Sequence, residues 1–320
     1  MEIVKEREVP HLLKGLTYLD KRSVMKEADK QYLTSLQKNF DGANDFDAKV
    51  NTLVNREVIV LNDLLLCNKG LTFQIDTLML TSHLVHVFEV KNYAGGYLRN
   101  PDGFSTILGQ KIADPLLQLK RTTSFLMQLL QDWASELKVQ GNLVFVNPAF
   151  TLYQARIEDP IILPSQIDSC LEALNSHSGG LERQHYQLAN RLVKLHEAHA
   201  PLEKHLPYYS YEELKKGLSC KACGSFELLI TQRSCFCKSC YEKSTVTDVI
   251  LDNIEELQFL FPDTPLTTAT VNEWCGDAVH FRRMRKVLKD HFVASGQTSG
   301  PVYGKPSHVY YESPPVRKSK

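Results

Sequence analysis

Three residues in the first third of the chain have types and spacing that suit metal-assisted chemistry: Asp76, in Gln74-Ile75-Asp76-Thr77, and Glu89 and Lys91, in Phe88-Glu89-Val90-Lys91-Asn92. Two hard carboxylates hold Mg²⁺ or Mn²⁺ with water in the remaining positions. Such an ion polarises a phosphoryl oxygen and lowers the pKa of a bound water. A lysine beside it positions that water and offsets charge in the transition state. The chemistry that wants this set is phosphodiester hydrolysis, and Gln118, one helix later, is suited to orient the water or hold a phosphate. Glu-x-Lys at a strand end more often marks a solvated face, because short motifs recur by chance. Two features argue against that here. The run before Glu89, Leu84–Phe88, is almost wholly apolar, and an acidic residue interrupts the preceding strand at Asp76.

A second group is formed by sulfur. Cys220-Lys221-Ala222-Cys223 and Cys237-Lys238-Ser239-Cys240 are two Cys-x-x-Cys pairs with thirteen residues between them, the spacing of a Cys₄ zinc ribbon. Four thiolates leave no open coordination position, so Zn²⁺ here is structural. Cys235 is a fifth thiol close enough to compete as a ligand. A redox Cys-x-x-Cys reading finds no thioredoxin-like βαβ pattern around either pair. Cys67, Cys170 and Cys275 read as buried core residues. His196 and His199 have no Cys or carboxylate at ligand spacing and read as surface residues. A third group is basic: Arg282, Arg283, Arg285, Lys286 and Lys289 fall in one helical pattern.

The elements that must position these groups can be read from periodicity. A helical stretch is expected from about Asp45 to Arg56, then strands at Val58–Leu66, Phe73–Leu80 and Leu84–Val90, the third apolar on both faces and therefore central in a sheet. If the second and third strands form a hairpin, Asp76 approaches the face that Glu89 and Lys91 share by their period of two. Asn92–Gly103 reads as loop. Asp114-Pro115 has the form of a helix start, and Leu116, Leu119, Thr123, Leu126, Met127 and Leu130 follow at helical spacing. Asn142–Val146 is a further strand. The C-terminal part shows a helix over about Thr268–Cys275, a Cys275-Gly276-Asp277 turn and a basic second helix over Ala278–Phe292, a loose likeness to helix-turn-helix domains that place such a helix in the major groove. Tyr303–Tyr311 is a candidate wing.

Several of these stretches, taken in order, resemble the NERD domain, the nuclease-related domain of the restriction-endonuclease-like superfamily. The resemblance runs from about Phe40 to Val146. It rests on Leu61-Asn62-Asp63-Leu64-Leu65-Leu66, Phe73-Gln74-Ile75-Asp76-Thr77, Phe88-Glu89-Val90-Lys91-Asn92-Tyr93 with Gly95-Gly96, and Asp114-Pro115-Leu116-Leu117-Gln118-Leu119-Lys120-Arg121. It implies an α/β (α+β) fold, a mixed sheet flanked by helices, with Asp76, Glu89, Lys91 and Gln118 at the family's active-site positions. One departure matters. The family's Gly-Glu pair on its first helix corresponds to Gly42-Ala43, so the usual acid is an alanine. Asp47, one turn on, shares a helix face with Ala43 and is a substitute ligand; Asp41 and Asp45 are other candidates.

Composition bounds the rest. The chain has 320 residues, 43% hydrophobic and 23% charged, with 37 basic and 37 acidic side chains. That is an ordinary balance for a soluble protein. It argues against a nucleic-acid coat or a polybasic membrane binder, while leaving room for a local basic patch. Met1–Glu6 reads as no signal peptide, every apolar run falls short of a membrane span, and clustered cysteines suit a reducing compartment, so a cytoplasmic location is expected. The expected organisation is an N-terminal helical segment (1–39), a nuclease-like domain (40–170), a helical connector (171–217), a Cys₄ zinc ribbon (218–245), a helix-turn-helix-like domain (246–312) and a disordered tail (313–320). Two functions follow as expectations: a divalent-metal-dependent nuclease acting on nucleic acid, DNA first, or a catalytically impaired nuclease fold that binds nucleic acid in a regulatory role.

Overall fold

Apolar side chains alternate along the strands around Asp76 and Glu89, and the computed structural model shows what that alternation builds. It describes residues 1–54, 57–68, 70–101, 103–133, 135–175, 179–196, 206–295 and 300–304. Two compact units are present, Met1–Leu13 with Gln31–His205, and Lys14–Lys30 with Leu206–Lys320. In chain order the first part runs β1 (Glu2–Lys5), α1 (His11–Arg22), α2 (Glu27–Leu53), β2 (Ile59–Asn68), β3 (Leu71–Leu80), β4 (Leu84–Lys91), β5 (Gly95–Asn100), β6 (Gly103–Thr106), β7 (Lys111–Ile112), α3 (Pro115–Asp132), β8 (Lys138–Phe145), β9 (Phe150–Tyr153), β10 (Ile161–Ile162), α4 (Ile167–Leu174) and α5 (Arg183–Leu195).

The main sheet of the first unit has the order β1-β2-β3-β4-β8-β10. β2, β3 and β4 are antiparallel, whereas β1 on β2, β8 on β4 and β10 on β8 are parallel. The sheet is covered on both faces. On one, Phe46 and Val50 of α2 and Ile167 and Leu171 of α4 pack with Val60, Met79, Phe88 and Val144. On the other, Leu119, Leu126 and Leu130 of α3 and Leu188 and Leu192 of α5 pack with Leu61, Leu78, Val87 and Leu143. β4 lies between β3 and β8, which explains its apolar character on both sides. The mixed α/β fold with helices flanking the sheet is the expected one.

Several expectations need correction. The helix read from Asp45 begins eighteen residues earlier, since α2 starts at Glu27 and passes through Gly42 without a break. The N-terminal segment opens with a strand rather than a helix. Asn92–Gly103 is not loop: β5, β6, β7 and β9 make a second sheet of order β7-β6-β5-β9. α5, placed by the sequence in a connector, packs on β2 within the first unit. Cys67 and Cys170 are half-buried, and Cys275 alone of that trio is buried.

The second unit contains β11 (Leu228–Ile230), β12 (Ser234–Cys237) and β13 (Lys243–Thr245), an antiparallel sheet in that order. α6 (Val246–Leu260), α7 (Thr268–Trp274), α8 (Phe281–His291) and the hairpin β14 (Val293–Ser295) with β15 (Val302–Gly304) follow. α6 was not anticipated, although Val246, Val249, Ile250, Ile254, Leu257 and Leu260 recur at helical spacing and are all buried; Thr245 caps it through the Asp248 N–H at 3.1 Å. α6, α7 and α8 pack on one another. The hairpin shares only Tyr303 and Gly304 with the stretch expected as a wing and is held by the buried Tyr303, whose N–H donates to the Leu266 carbonyl at 2.8 Å; the rest of that stretch, Val309–Tyr311 included, lies outside the described residues, as does His199. Within this unit the buried Arg22 joins the end of α1 to α6. Its guanidinium donates to Asn253 Oδ1 (2.8 Å) and Glu256 Oε2 (3.1 Å) and to the Lys215 carbonyl (2.7 Å), and lies 4.0 Å from the Trp274 ring centre.

Candidate active site and metal centre

The acidic site forms where β3 and β4 part. Their paired register ends at Thr77↔Phe88, so the next residues on each strand, Asp76 and Glu89, meet at the point where the ladder opens. The Asp76 side chain closes it: Oδ2 accepts the Val90 N–H at 2.8 Å. Across the other edge of β3 the pairing with β2 skips Asp63, which sits at φ 52°. That left-handed residue turns β2 over, so that Ile59 and Leu61 before it and Leu64 and Leu66 after it all face the α3 core. Lys5 holds the turn by donating to the Asn62 (2.9 Å) and Asp63 (3.0 Å) carbonyls.

Glu89 and Lys91 alternate with Val90 and so face α3. Lys91 Nζ donates to Glu89 Oε1 at 2.6 Å and to Gln118 Oε1 at 3.1 Å. Gln118 is placed by the start of α3, where Asp114 Oδ1 accepts the Leu116 N–H at 2.9 Å and Pro115 takes the first helical position. α3 can approach β8 because residue 141 is glycine; a Cβ there would lie 2.8 Å from Thr123 Cγ2.

The electrostatics of the site follow from two carboxyls sharing one ammonium. Glu89 is 2% exposed. Burial, reinforced by the neighbouring Asp76 carboxylate, pushes its pKa up to about 7, and Lys91 only partly offsets this. Burial also raises Asp76, against the pull of Lys91 and the Val90 N–H. Burial works to lower Lys91, but Glu89 and Asp76 outweigh it and hold the ammonium above its ordinary value. A divalent cation fits such a pair of hard oxygen donors, whose mutual repulsion it would relieve. In that role it would supply Lewis acidity to a phosphoryl oxygen.

Asp47 is differently engaged. Arg7 Nε donates to Asp47 Oδ2 at 2.7 Å and Arg7 Nη2 to Oδ1 at 3.1 Å. The same Nη2 reaches the Asp76 carbonyl and Thr77 Oγ1, both at 2.9 Å. Asp47 is thus joined to the site through Arg7, with its oxygens committed to a bidentate ion pair. Arg7 was not anticipated, and a lone arginine in a charged N-terminal segment carries no motif to reveal it. Ala43 is buried on the same helix face, beside Gly42, whose Cβ would stand 2.5 Å from that of Asn92. Position 43 therefore lies where α2 passes the end of β4. Asp41 and Asp45 are exposed. A separate cavity of about 500 Å³, lined by Arg99, Leu116, Lys120 and Asp159 among others, lies against α3 and includes none of Asp76, Glu89, Lys91 and Gln118.

Among the described residues, Cys220, Cys223, Cys237 and Cys240 have their thiols within 4.8 Å of one another. The Cys220–Cys240 and Cys223–Cys237 sulfurs are 3.7 and 3.5 Å apart. Thiolates at tetrahedral Zn–S distances are separated by about 3.8 Å, so the four can hold one such ion. The knuckle geometry favours one of them as thiolate: the Cys240 backbone N–H, against burial and with the Ser239 N–H adding to it, brings Cys237 down to about 6, whereas burial raises Cys220. Cys235 stands apart. It is buried on the same face of β12 as Cys237 but is not one of the four, and burial raises its thiol.

On α8 the structure separates the basic residues. Met284, Val287 and Leu288 are buried, so Arg282, Arg285, Lys286 and Lys289 line the exposed face. Arg283 turns aside and donates to the Thr231 carbonyl at 3.4 Å, at the turn between β11 and β12.

Residues 38–146 match the family model for NERD, the nuclease-related domain. The chain carries a nuclease-related domain. Asp76, Glu89, Lys91 and Gln118 all lie inside it, whereas the cysteine cluster and α8 lie beyond it. No curated protein and no solved structure matches the chain. No helix among the described residues is long and apolar enough to cross a membrane.

Proposed function

We propose that the nuclease-related domain is a Mg²⁺- or Mn²⁺-dependent nuclease that hydrolyses phosphodiester bonds in DNA, in a cytoplasmic protein. The single observation that carries this reading is the convergence of two carboxyls, an ammonium and an amide where β3 and β4 part. Asp76 and Glu89 hold the ion. Lys91 positions the attacking water and balances charge on the phosphoryl oxygens, and Gln118 fixes the lysine and the water. Zn²⁺ in the four-cysteine cluster holds the ribbon together. The exposed cations of α8, Arg282, Arg285, Lys286 and Lys289, engage DNA, with the helix in the major groove or on phosphates. The domains proposed are those read from the sequence, with the nuclease-like domain extended to take in β1 and α5.

Ala43 favours a second reading, in which the fold binds nucleic acid without cutting it. With Asp47 committed to Arg7, the third acid of the family pattern is missing. The deciding experiment incubates linear, circular and single-stranded DNA, and RNA, with purified protein and Mg²⁺ or Mn²⁺. Wild type, Lys91→Ala and Ala43→Glu are compared. The nuclease reading expects cleavage by wild type that Lys91→Ala loses by at least a hundredfold, the scale for removing a group that stabilises developing charge. Cleavage by Ala43→Glu alone establishes the second reading, and none by either variant or wild type removes the enzyme.

A further inference from the structure

The ribbon's outward face carries side chains that neither the cysteine cluster nor α8 uses. Leu229 is paired across the sheet with Phe236, and Phe236 with Lys243, so the three stand in one row. Cys235 and Cys237, the neighbours of Phe236, are buried, which turns the Phe236 ring outward. It is 37% exposed. Tyr241, just past the second cysteine knuckle at φ 64°, is 74% exposed, and the two ring centres lie 6.2 Å apart. Lys238, Lys243 and Arg233 are exposed in the same ribbon and outnumber its two acids, Glu227 and Glu242.

Large aromatic rings left in water forgo the burial that ordinarily stabilises them, so an exposed pair with cations around it calls for an occupant. An apolar protein surface would cover the rings but leave the cations unmatched. A DNA duplex would match the cations but keeps its base faces stacked inside. A single strand offers both phosphates and free base faces, and proteins that bind one combine basic side chains with aromatic stacking. We propose that the outward face of the ribbon is a single-strand binding site, with unpaired bases stacked on Phe236 and Tyr241 and phosphates on Lys243, Lys238 and Arg233. This rests on the reading of nucleic acid as the partner and names the form recognised at this site.

The test is fluorescence anisotropy of the full chain with a short labelled oligothymidine and with a duplex of equal length. No divalent ion or chelator is added, so hydrolysis does not intervene and the ribbon's own metal is kept. A Phe236→Leu/Tyr241→Leu pair retains apolar surface but removes the π faces. It is expected to weaken single-strand binding by roughly tenfold or more per ring, with duplex binding and metal content unchanged. If the double variant loses its metal, Tyr241→Ser, at the more exposed position, is the arbiter and is expected to lose about tenfold on its own. Single-strand affinity unchanged in a metal-replete double variant, or no single-strand binding by wild type, overturns the proposal. Because binding is read without cleavage, an inactive acidic site leaves this result intact, and a failed ribbon site leaves the cleavage assay intact.

Discussion

Glu89 concentrates the physical tension of the acidic site. Its carboxyl is buried beside Asp76, and its pKa of about 7 stands well above the ordinary glutamate value of 4.5. Because the folded-state value is raised, the contribution of this group to stability is fully present below about pH 4.5 and is lost as the pH rises through about 7. Without a divalent ion, stability at neutral pH is therefore lower than it would be with a neutral residue here. Glu89→Gln is expected to abolish this decline between about pH 4.5 and 7, a difference on the order of 1–3 kcal/mol that urea denaturation at a series of pH values can read. A decline of equal size in the variant would assign it to another group. The pair Asp76 and Glu89 was legible as residue types, because acids interrupting apolar strands stand out. Arg7 was not, since what makes it part of the site is a bidentate pair with Asp47 across forty positions.

At the scale of elements, the site depends on how closely helices approach the sheet. Gly141 lets α3 settle on β8, and Gly42 lets α2 pass Asn92. Gly141→Ala would bring a methyl to 2.8 Å from Thr123 Cγ2 and 3.1 Å from Leu119. We expect a loss of about 1–3 kcal/mol in denaturant unfolding, the usual cost of overpacking, with cleavage falling further than stability accounts for because Gln118 moves with α3. Unchanged stability would show that the helix rides outward freely. Strands β3 and β4 were readable from apolar runs and the start of α3 from Asp114-Pro115, because each signal is local. The second sheet was hidden for the opposite reason. Its strands are short, carry Gly95, Gly96 and Asn100, and are completed by β9, some fifty residues on, so the same residues also satisfy the composition of a loop. The unbroken α2 was hidden by Gly42, whose bare Cα looks like a helix breaker and serves instead as a point of close contact.

Across the whole molecule, chemistry and affinity are assigned to different units. The acidic site belongs to the first, and the cysteine cluster and α8 to the second. A formal net charge of zero hides the gathering of Arg282, Arg285, Lys286 and Lys289 on one exposed face of α8, where DNA is proposed to bind. Reversing two of them, Arg282→Glu with Arg285→Glu, is expected to weaken duplex binding and to reduce the slope of log affinity against log salt by about two, one for each lost phosphate contact. Nitrocellulose-filter binding over a salt series reads both, and an unchanged slope would place these side chains away from phosphate. In the order ribbon, helix, helix, helix and hairpin, the ribbon was legible in its cysteine spacing and α7 and α8 in their helical patterns, but α6 was not. α6 between them lacked a flanking break to mark its start.

The proposed nuclease activity requires Asp76 and Glu89 to be ligands of a divalent ion. The most direct measurement is Mn²⁺ titration followed by electron paramagnetic resonance on wild type, Asp76→Asn and Glu89→Gln, near pH 8, where Glu89 is ionised. One site is expected in wild type, weakened by at least tenfold in each variant. Mn²⁺ bound equally by all three proteins, or by none, would contradict it.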